Sequence, residues 1–355
     1  MKRVAVLWSH LSGYMDASLR ALQNQNCNIF ISAYEPDANA PFKRELFSWL
    51  PETQQLWWAN GQINAIALEQ ALVAFKPDII LCAGWTTPTY LHVAGSFKNK
   101  AIRVLCFDTP WMDTPRQRIG RVWATFRLKP NFELAFVPGE RQYQTALKFG
   151  FAPSRIITGL LAPDTTLFRP IAAGNLDVSH RFLYVGRLSA EKGIAELARA
   201  YSVYRRQCVD PWPLSVAGAG PMAEKLCVIP GVTMLGFIQP CDLPDVLHAA
   251  GCLVVPSLYE AWGVQISEGA TAGLAIIATT ICGASVHLVK PNFNGYVVEA
   301  GDVMGLALAM AKISSNPDIA EFSSNSRALG AQFTPDLFAT NLLEGFSSHL
   351  LGKNQ

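Results

Sequence analysis

The sequence has no CxxC pair among its eight cysteines (27, 82, 106, 208, 227, 241, 252 and 282), and several of them lie in apolar runs that look like strands. Scattered cysteines of this kind read as reduced core thiols rather than zinc ligands or disulfides. There is no surplus of either charge: the formal net charge is +2, and only 16% of residues are charged. So balanced a chain has no field that would gather nucleic acid, and any basic patch must be local. The N-terminus has no long apolar run, because Val4–Trp8 gives way at once to Ser9 and His10. That is too short for a signal peptide or a membrane span, so a cytoplasmic location is expected. The first apolar run is not followed by GxGxxG, which argues against a dinucleotide dehydrogenase, and the six histidines show no triad or ligand spacing.

What the sequence does have is apolar material, 50% of its 355 residues, in a repeating rhythm. Strand-like runs at Val4–Trp8, Asn28–Ala33, Asp78–Ala83, Ile102–Phe107 and Leu134–Val137 alternate with amphipathic stretches such as 61–75 and 140–149. A second series follows at Phe182–Val185, Leu214–Ala217, Val232–Leu235, Leu253–Val255 and Ala275–Ala278, after a Pro163 to Asn175 segment with linker composition. The expectation is two doubly wound Rossmann-like α/β domains with a hinge near 165–178, placing ligand loops after the strands on a shared cleft.

The chemistry concentrates in the second series. After Phe182–Val185 comes Gly186-Arg187-Leu188-Ser189-Ala190-Glu191-Lys192-Gly193, with two cations around a strand-to-helix turn. Arg187 offers a fork of donors to a diphosphate and Lys192 a point charge, while the flanking glycines allow close backbone approach. A solvated basic pair is the plainer alternative. Further on, Pro256-Ser257-Leu258-Tyr259-Glu260-Ala261-Trp262-Gly263-Val264-Gln265-Ile266-Ser267-Glu268 runs from a buried strand into a helix. Glu260 belongs to the loop and Glu268 lies about one and a half turns into the helix. The free N–H groups near Gly263, Val264 and Gln265 favour a phosphate between the two carboxylates. A cap at Glu260 and an exposed helix residue at Glu268 are the bland alternatives.

These segments, with Gly218-Ala219-Gly220-Pro221 and Asn294-Gly295, resemble the retaining glycosyltransferases of the GT-B fold, family 4 (glycosyl transferases group 1). That family includes bacterial lipopolysaccharide and capsule glycosyltransferases, sucrose-phosphate synthase and glycogen synthase-like enzymes. The resemblance covers most of residues 181–300. It implies an N-terminal acceptor domain (1–170), a C-terminal nucleotide-sugar domain (178–332) and a last helix (333–355) that crosses back to the first. It further implies Arg187 and Lys192 on the diphosphate, Glu268 on the ribose, Glu260 on the donor sugar and Gly186, Gly218 and Gly263 in the donor loops. The implied reaction moves a hexose from a UDP- or GDP-sugar to a glycan, lipid-linked or small-molecule acceptor, with no metal and no further cofactor.

The first half follows the family only in outline. Its first loop, Ser9 to Tyr14, has one glycine, Gly13, as the candidate to approach the phosphates. Asp108 stands where members often carry a histidine; it either assists acceptor deprotonation or caps the next turn. The glutamate that commonly follows the glycine at Gly283 is lost. Trp85 and Trp111, near inferred strand ends, are candidate acceptor contacts, with Arg116 and Arg118 beside them.

Between Thr114 and Phe132 stand Arg116, Arg118, Arg121, Arg127 and Lys129 and no acidic residue. Thr114 and Pro115 fit the start of a helix on which Ile119, Val122, Trp123 and Phe126 share a face. Segment 114–129 is a candidate for peripheral contact with anionic lipid. The favoured alternative packs the apolar stripe on the sheet and leaves the arginines solvated or holding an anionic acceptor. Rival functions are a sugar-nucleotide epimerase or phosphorylase of the same architecture, and a non-catalytic nucleotide-sugar-binding subunit.

Overall fold

A computed structural model of the chain describes residues 1–36, 44–59, 62–169 and 179–353. The Pro170 to Asn175 part of the expected linker, with most of the expected hinge, lies outside the described residues. The chain divides into two compact units, Met1–Ala162 with Phe333–Gln355, and Pro163–Gln332.

In the first unit the order is β1 (Lys2–Leu7), α1 (Gly13–Asn24), β2 (Cys27–Tyr34), β3 (Gln55–Trp58), α2 (Ala65–Phe75), β4 (Ile79–Ala83), α3 (Pro88–Ser96), β5 (Ile102–Cys106), α4 (Pro115–Trp123), β6 (Leu134–Val137), α5 (Glu140–Lys148) and β7 (Ile156–Thr158). The seven strands form one sheet in the order β3-β2-β1-β4-β5-β6-β7. Every neighbouring pair is parallel, as the short apolar runs joined by helices require. In β5, Arg103 is buried and held by Glu133 through its backbone N–H (2.8 Å) and its guanidinium (2.5 and 3.2 Å). A buried guanidinium is tolerable only with such a partner.

The second unit runs α6 (Thr165–Phe168), β8 (Phe182–Val185), α7 (Ile194–Gln207), β9 (Leu214–Ala217), α8 (Glu224–Cys227), β10 (Val232–Gly236), α9 (Leu243–His248), β11 (Cys252–Val255), α10 (Val264–Ala272), β12 (Ala275–Thr279), α11 (Ser285–Leu288), β13 (Gly295–Val298), α12 (Val303–Ser314) and α13 (Ile319–Gly330). Its six parallel strands are ordered β10-β9-β8-β11-β12-β13. Strand order reverses between β8 and β11, which pair directly, and such a switch point is where doubly wound sheets take their ligands. One core face joins Phe182, Leu197, Tyr201, Tyr204, Val254, Ile277 and Met310.

The last helix, α14 (Pro335–Lys353), belongs to the first unit. Buried Phe338 meets Phe136 of β6 with ring centroids 4.9 Å apart, and Asn341 donates to the Thr158 carbonyl at 3.0 Å.

Three strands, β3, β7 and β13, were not expected from the sequence, and all three lie at sheet edges. A second correction concerns α4. Thr114 does cap it, accepting from Gln117 N–H at 3.3 Å, and Pro115 takes its first position. The stripe does not pack on the sheet, however: α4 buries no residue, and Ile119 and Phe126 are 75% and 74% exposed. The packing falls instead to Ala124 and Leu128, in a π-helical turn that continues α4. All eight cysteines are free, but Cys227 and Cys241 are exposed rather than core residues. Among the described residues no helix is long and apolar enough to cross a membrane.

Candidate functional site

In the second unit, the loops after β8, β9, β11 and β12 are fastened to one another through the backbone. Leu188 N–H donates to Ala219 O (2.9 Å) and Met222 N–H to Leu188 O (2.9 Å), joining the first two. The Glu191 carbonyl accepts from both Leu258 and Tyr259, at 2.9 and 3.0 Å, joining the first to the third. Ala284 N–H donates to Trp262 O at 2.8 Å and Thr279 Oγ1 to Ser257 O at 2.7 Å, bringing in the fourth. Buried loops need such partners for their polar groups, and these bonds also fix the side chains the loops carry.

Glycine makes this closeness feasible. At Gly193, which begins α7 with φ +71°, a Cβ would overlap the Pro256 carbonyl oxygen. Gly186 and Gly218, at the ends of neighbouring β8 and β9, touch so closely that a Cβ at 218 would overlap the Gly186 carbonyl.

At the centre, Lys192 Nζ donates to Glu260 Oε2 at 2.7 Å, and Gln265 Nε2 donates to the same oxygen at 3.0 Å. The lysine and glutamate side chains are only 17% and 12% exposed, so this pair is shielded from solvent far more than an ordinary surface pair. Among the described residues nothing donates to Oε1 of Glu260. Gly263 caps the start of α10 with φ +97° and no side-chain bond, and the N–H groups of Gly263, Val264 and Gln265 have no acceptor among the described residues. A carboxylate oxygen, an ammonium and unpaired N–H groups at a helix start therefore stand together.

Arg187 is not part of that cluster. Its guanidinium is 65% exposed and lies 3.5 Å from Glu191. The Tyr184 hydroxyl holds the Arg187 carbonyl at 2.7 Å, fixing the backbone while the guanidinium reaches towards solvent beside Glu191. Ser189 Oγ donates to Glu191 at 2.6 Å, and this bond first, then the residue's own N–H, lowers the Glu191 carboxyl below its ordinary range.

Glu268 lies on α10, and no hydrogen bond or ion pair reaches its carboxyl among the described residues. It is partly exposed by area, yet enough protein surrounds it for burial to push its carboxyl up to about 7. Asn294 is wholly buried and holds the chain together: its amide donates to Leu288 O (2.8 Å) and Ser326 Oγ (3.0 Å) and accepts from Lys290 N–H (2.7 Å).

The remaining candidates belong to the first unit. Gly13 opens α1 behind Ser12, whose buried Oγ has no partner among the described residues. Asp108 is exposed beyond β5, with its carbonyl held by Gln142 at 2.9 Å. Trp85 is half-buried against Phe107 and Phe149, at centroid distances of 5.5 and 5.3 Å, and so contributes to the core. Trp111 lies under Lys148, 5.1 Å from its ring, and Arg118 holds Asp113 with two bonds of 2.7 and 3.2 Å. Arg116 is exposed. The sequence offered Gln265 only as a backbone donor; its amide on Glu260 was not foreseen, and the five-residue spacing across a helix start is its only sequence signal.

Residues 175–328 match the glycosyl transferases group 1 family. The chain is 30% identical over 161 residues to the glycogen synthase of Mycobacterium tuberculosis strain H37Rv, which is 43% of this chain and 38% of that protein. It thus spans about two fifths of the length of the first curated relatives it matches. It is 24% identical over 257 residues to the lipopolysaccharide 1,6-galactosyltransferase of Escherichia coli K12, covering 69% of this chain and 68% of that one. The solved structure of Anabaena HepE in complex with UDP and glucose matches with a TM-score of 0.75 over 98% of this chain and 100% of that one, at 17% identity. At that identity the likeness is one of fold, and the fold is GT-B.

Proposed function

We propose that the chain, whose residues 175–328 match the glycosyl transferases group 1 family, is a metal-independent retaining hexosyltransferase. Its donor is a nucleoside diphosphate sugar, UDP- or GDP-linked, and its acceptor a glycan or lipid-linked saccharide of surface polysaccharide or glycoconjugate synthesis in the cytoplasm. The observation that carries this reading is the 2.7 Å contact of Lys192 with Glu260 beside the unpaired N–H groups at the start of α10.

In this reading the diphosphate lies against the N–H groups of Val264 and Gln265 and the ammonium of Lys192, and Arg187 swings in from solvent to join them. Glu268 accepts from the ribose hydroxyls, and the open Oε1 of Glu260 accepts from hydroxyls of the donor sugar. The bond from the anomeric carbon to the diphosphate oxygen breaks while the acceptor oxygen bonds to the same face of that carbon. The acceptor proton passes to the departing phosphate, whose negative charge the two cations and the helix start stabilise as it develops. Preorganisation is the source of the gain, because the fastened loops set these groups before the donor arrives.

The test is a panel of UDP-, GDP-, ADP- and dTDP-sugars, read by thermal stabilisation and slow donor hydrolysis, with Glu260→Ala and Arg187→Ala alongside. One sugar nucleotide should stabilise the wild type, and its hydrolysis should disappear in both variants. No stabilisation and no consumption by any donor would overturn the reading.

A further inference from the structure

The first unit carries a surface that the transfer reaction does not explain. Helix α4 buries none of its residues, and Ile119, Val122, Trp123 and Phe126, at spacings that share one helical face, are 75%, 58%, 45% and 74% exposed. The segment is nevertheless fixed, because Ala124 and Leu128 of the π-helical turn are buried beneath it and Thr125 Oγ1 donates to the Arg121 carbonyl at 3.0 Å.

The charge around this face has one sign. Arg118 is taken up by Asp113, but among the described residues Arg116, Arg121, Arg127 and Lys129 have no acidic partner. Beside it opens a pocket of about 440 Å³ lined by Arg121, Thr125, Gln144, Leu147 and Lys148. Two cations and an amide suit a phosphate oxygen, and the leucine suits the start of an acyl chain.

We propose that α4 and its π-helical turn dock this unit on an anionic lipid bilayer, with a phospholipid headgroup in the Arg121–Lys148 pocket. Three features favour a bilayer over a protein partner. Four apolar side chains on one helix offer several hundred Å² at most, short of the roughly 800 Å² per partner of a stable protein interface. Unpaired arginines interleave with the apolar residues, whereas the core of a protein interface is depleted in charge. A tryptophan beside arginines suits the headgroup boundary, where indole N–H and guanidinium groups stay wet while rings and methyl groups reach the acyl region. The inference does not depend on the transfer reaction.

The test is flotation with vesicles of phosphatidylcholine containing 30% phosphatidylglycerol, compared with phosphatidylcholine alone, near ~0.15 M salt. Wild-type protein should bind the anionic vesicles and leave the neutral ones. Arg121→Gln with Arg127→Gln should weaken binding roughly 25-fold, at about fivefold per cation, and Phe126→Ser roughly tenfold. Because these side chains are exposed, the variants should melt as the wild type does, which circular dichroism checks. The proposal is overturned by equal binding to both vesicles, by binding that neither variant reduces, or by soluble glycerol phosphate binding without any vesicle binding. It is overturned too if light scattering shows a dimer that Phe126→Ser dissolves, which would give the face to a second copy of the chain.

Discussion

Lys192 and Glu260 lie 68 positions apart in sequence, yet Nζ of one is 2.7 Å from Oε2 of the other and both are largely shielded from water. Removing one partner leaves the other charge desolvated and unmatched, so the two act as a unit. Lys192→Ala and Glu260→Gln should each lower kcat/KM by about 10²–10³-fold. The double variant should fall little further than the worse single, because strongly coupled groups are not additive. Steady-state kinetics on the four proteins check this, and simple additivity would mean that the contact is incidental.

Gly193 tests how tightly the loops are fitted. Gly193→Ala meets both a left-handed backbone (φ +71°) and the Pro256 carbonyl, whereas Gly236→Ala meets only the backbone (φ +72°), with nothing within 4 Å of its Cβ. Gly236→Ala should cost about 1 kcal/mol. Gly193→Ala should cost roughly 2–3 kcal/mol and also lose the thermal shift with donor. Denaturant unfolding with and without the sugar nucleotide separates the two.

Glu268 gives the protein a pH dependence of definite sign. Its carboxyl is raised from an ordinary 4.5 to about 7 by burial, so the folded state holds the proton more tightly than the unfolded state does. Stability from this group is therefore present below the ordinary value and is lost as pH rises from 4.5 to about 7. Glu268→Gln should flatten that fall, melting as the wild type does near the lower limit and higher than it above pH ~7.5. Parallel melting curves for the two proteins across the range would sink this account.

Phe338 is fully buried on α14 against Phe136. Phe338→Ala should destabilise the first unit by ~3–5 kcal/mol, the usual cost of a large core aromatic. The second unit should keep its own transition, which calorimetry would resolve. A change below ~1 kcal/mol would show that the helix contributes little.

The interior strands were legible because parallel strands covered on both faces read as continuous apolar runs, as at Phe182–Val185 and Leu214–Ala217. β3, β7 and β13 escaped because short or half-buried runs such as Gln55–Trp58 carry a weak pattern, whereas β10, equally at an edge, was legible at Val232–Leu235. Within the site, the spacing of residue types around two strand-to-helix turns singled out Lys192 and Glu260. Their direct contact depends on β8 and β11 being neighbours, which composition and periodicity do not encode. The Ile119 to Phe126 stripe was the reverse case: helical spacing identified the shared face correctly, but periodicity is silent on whether protein or something else covers it.

The return of α14 to the first unit has a consequence for biosynthesis. Residues 333–353 supply a helix to the unit begun by residues 1–162, while Pro163–Gln332 form a unit of their own in between. On a ribosome adding about 5–20 residues per second, the second unit can close on itself while the first still lacks its final helix. For those seconds Phe136 has no cover from Phe338, so the first-made half of the chain is the last to finish folding. That interval is when it is most exposed to chaperones, proteases and aggregation.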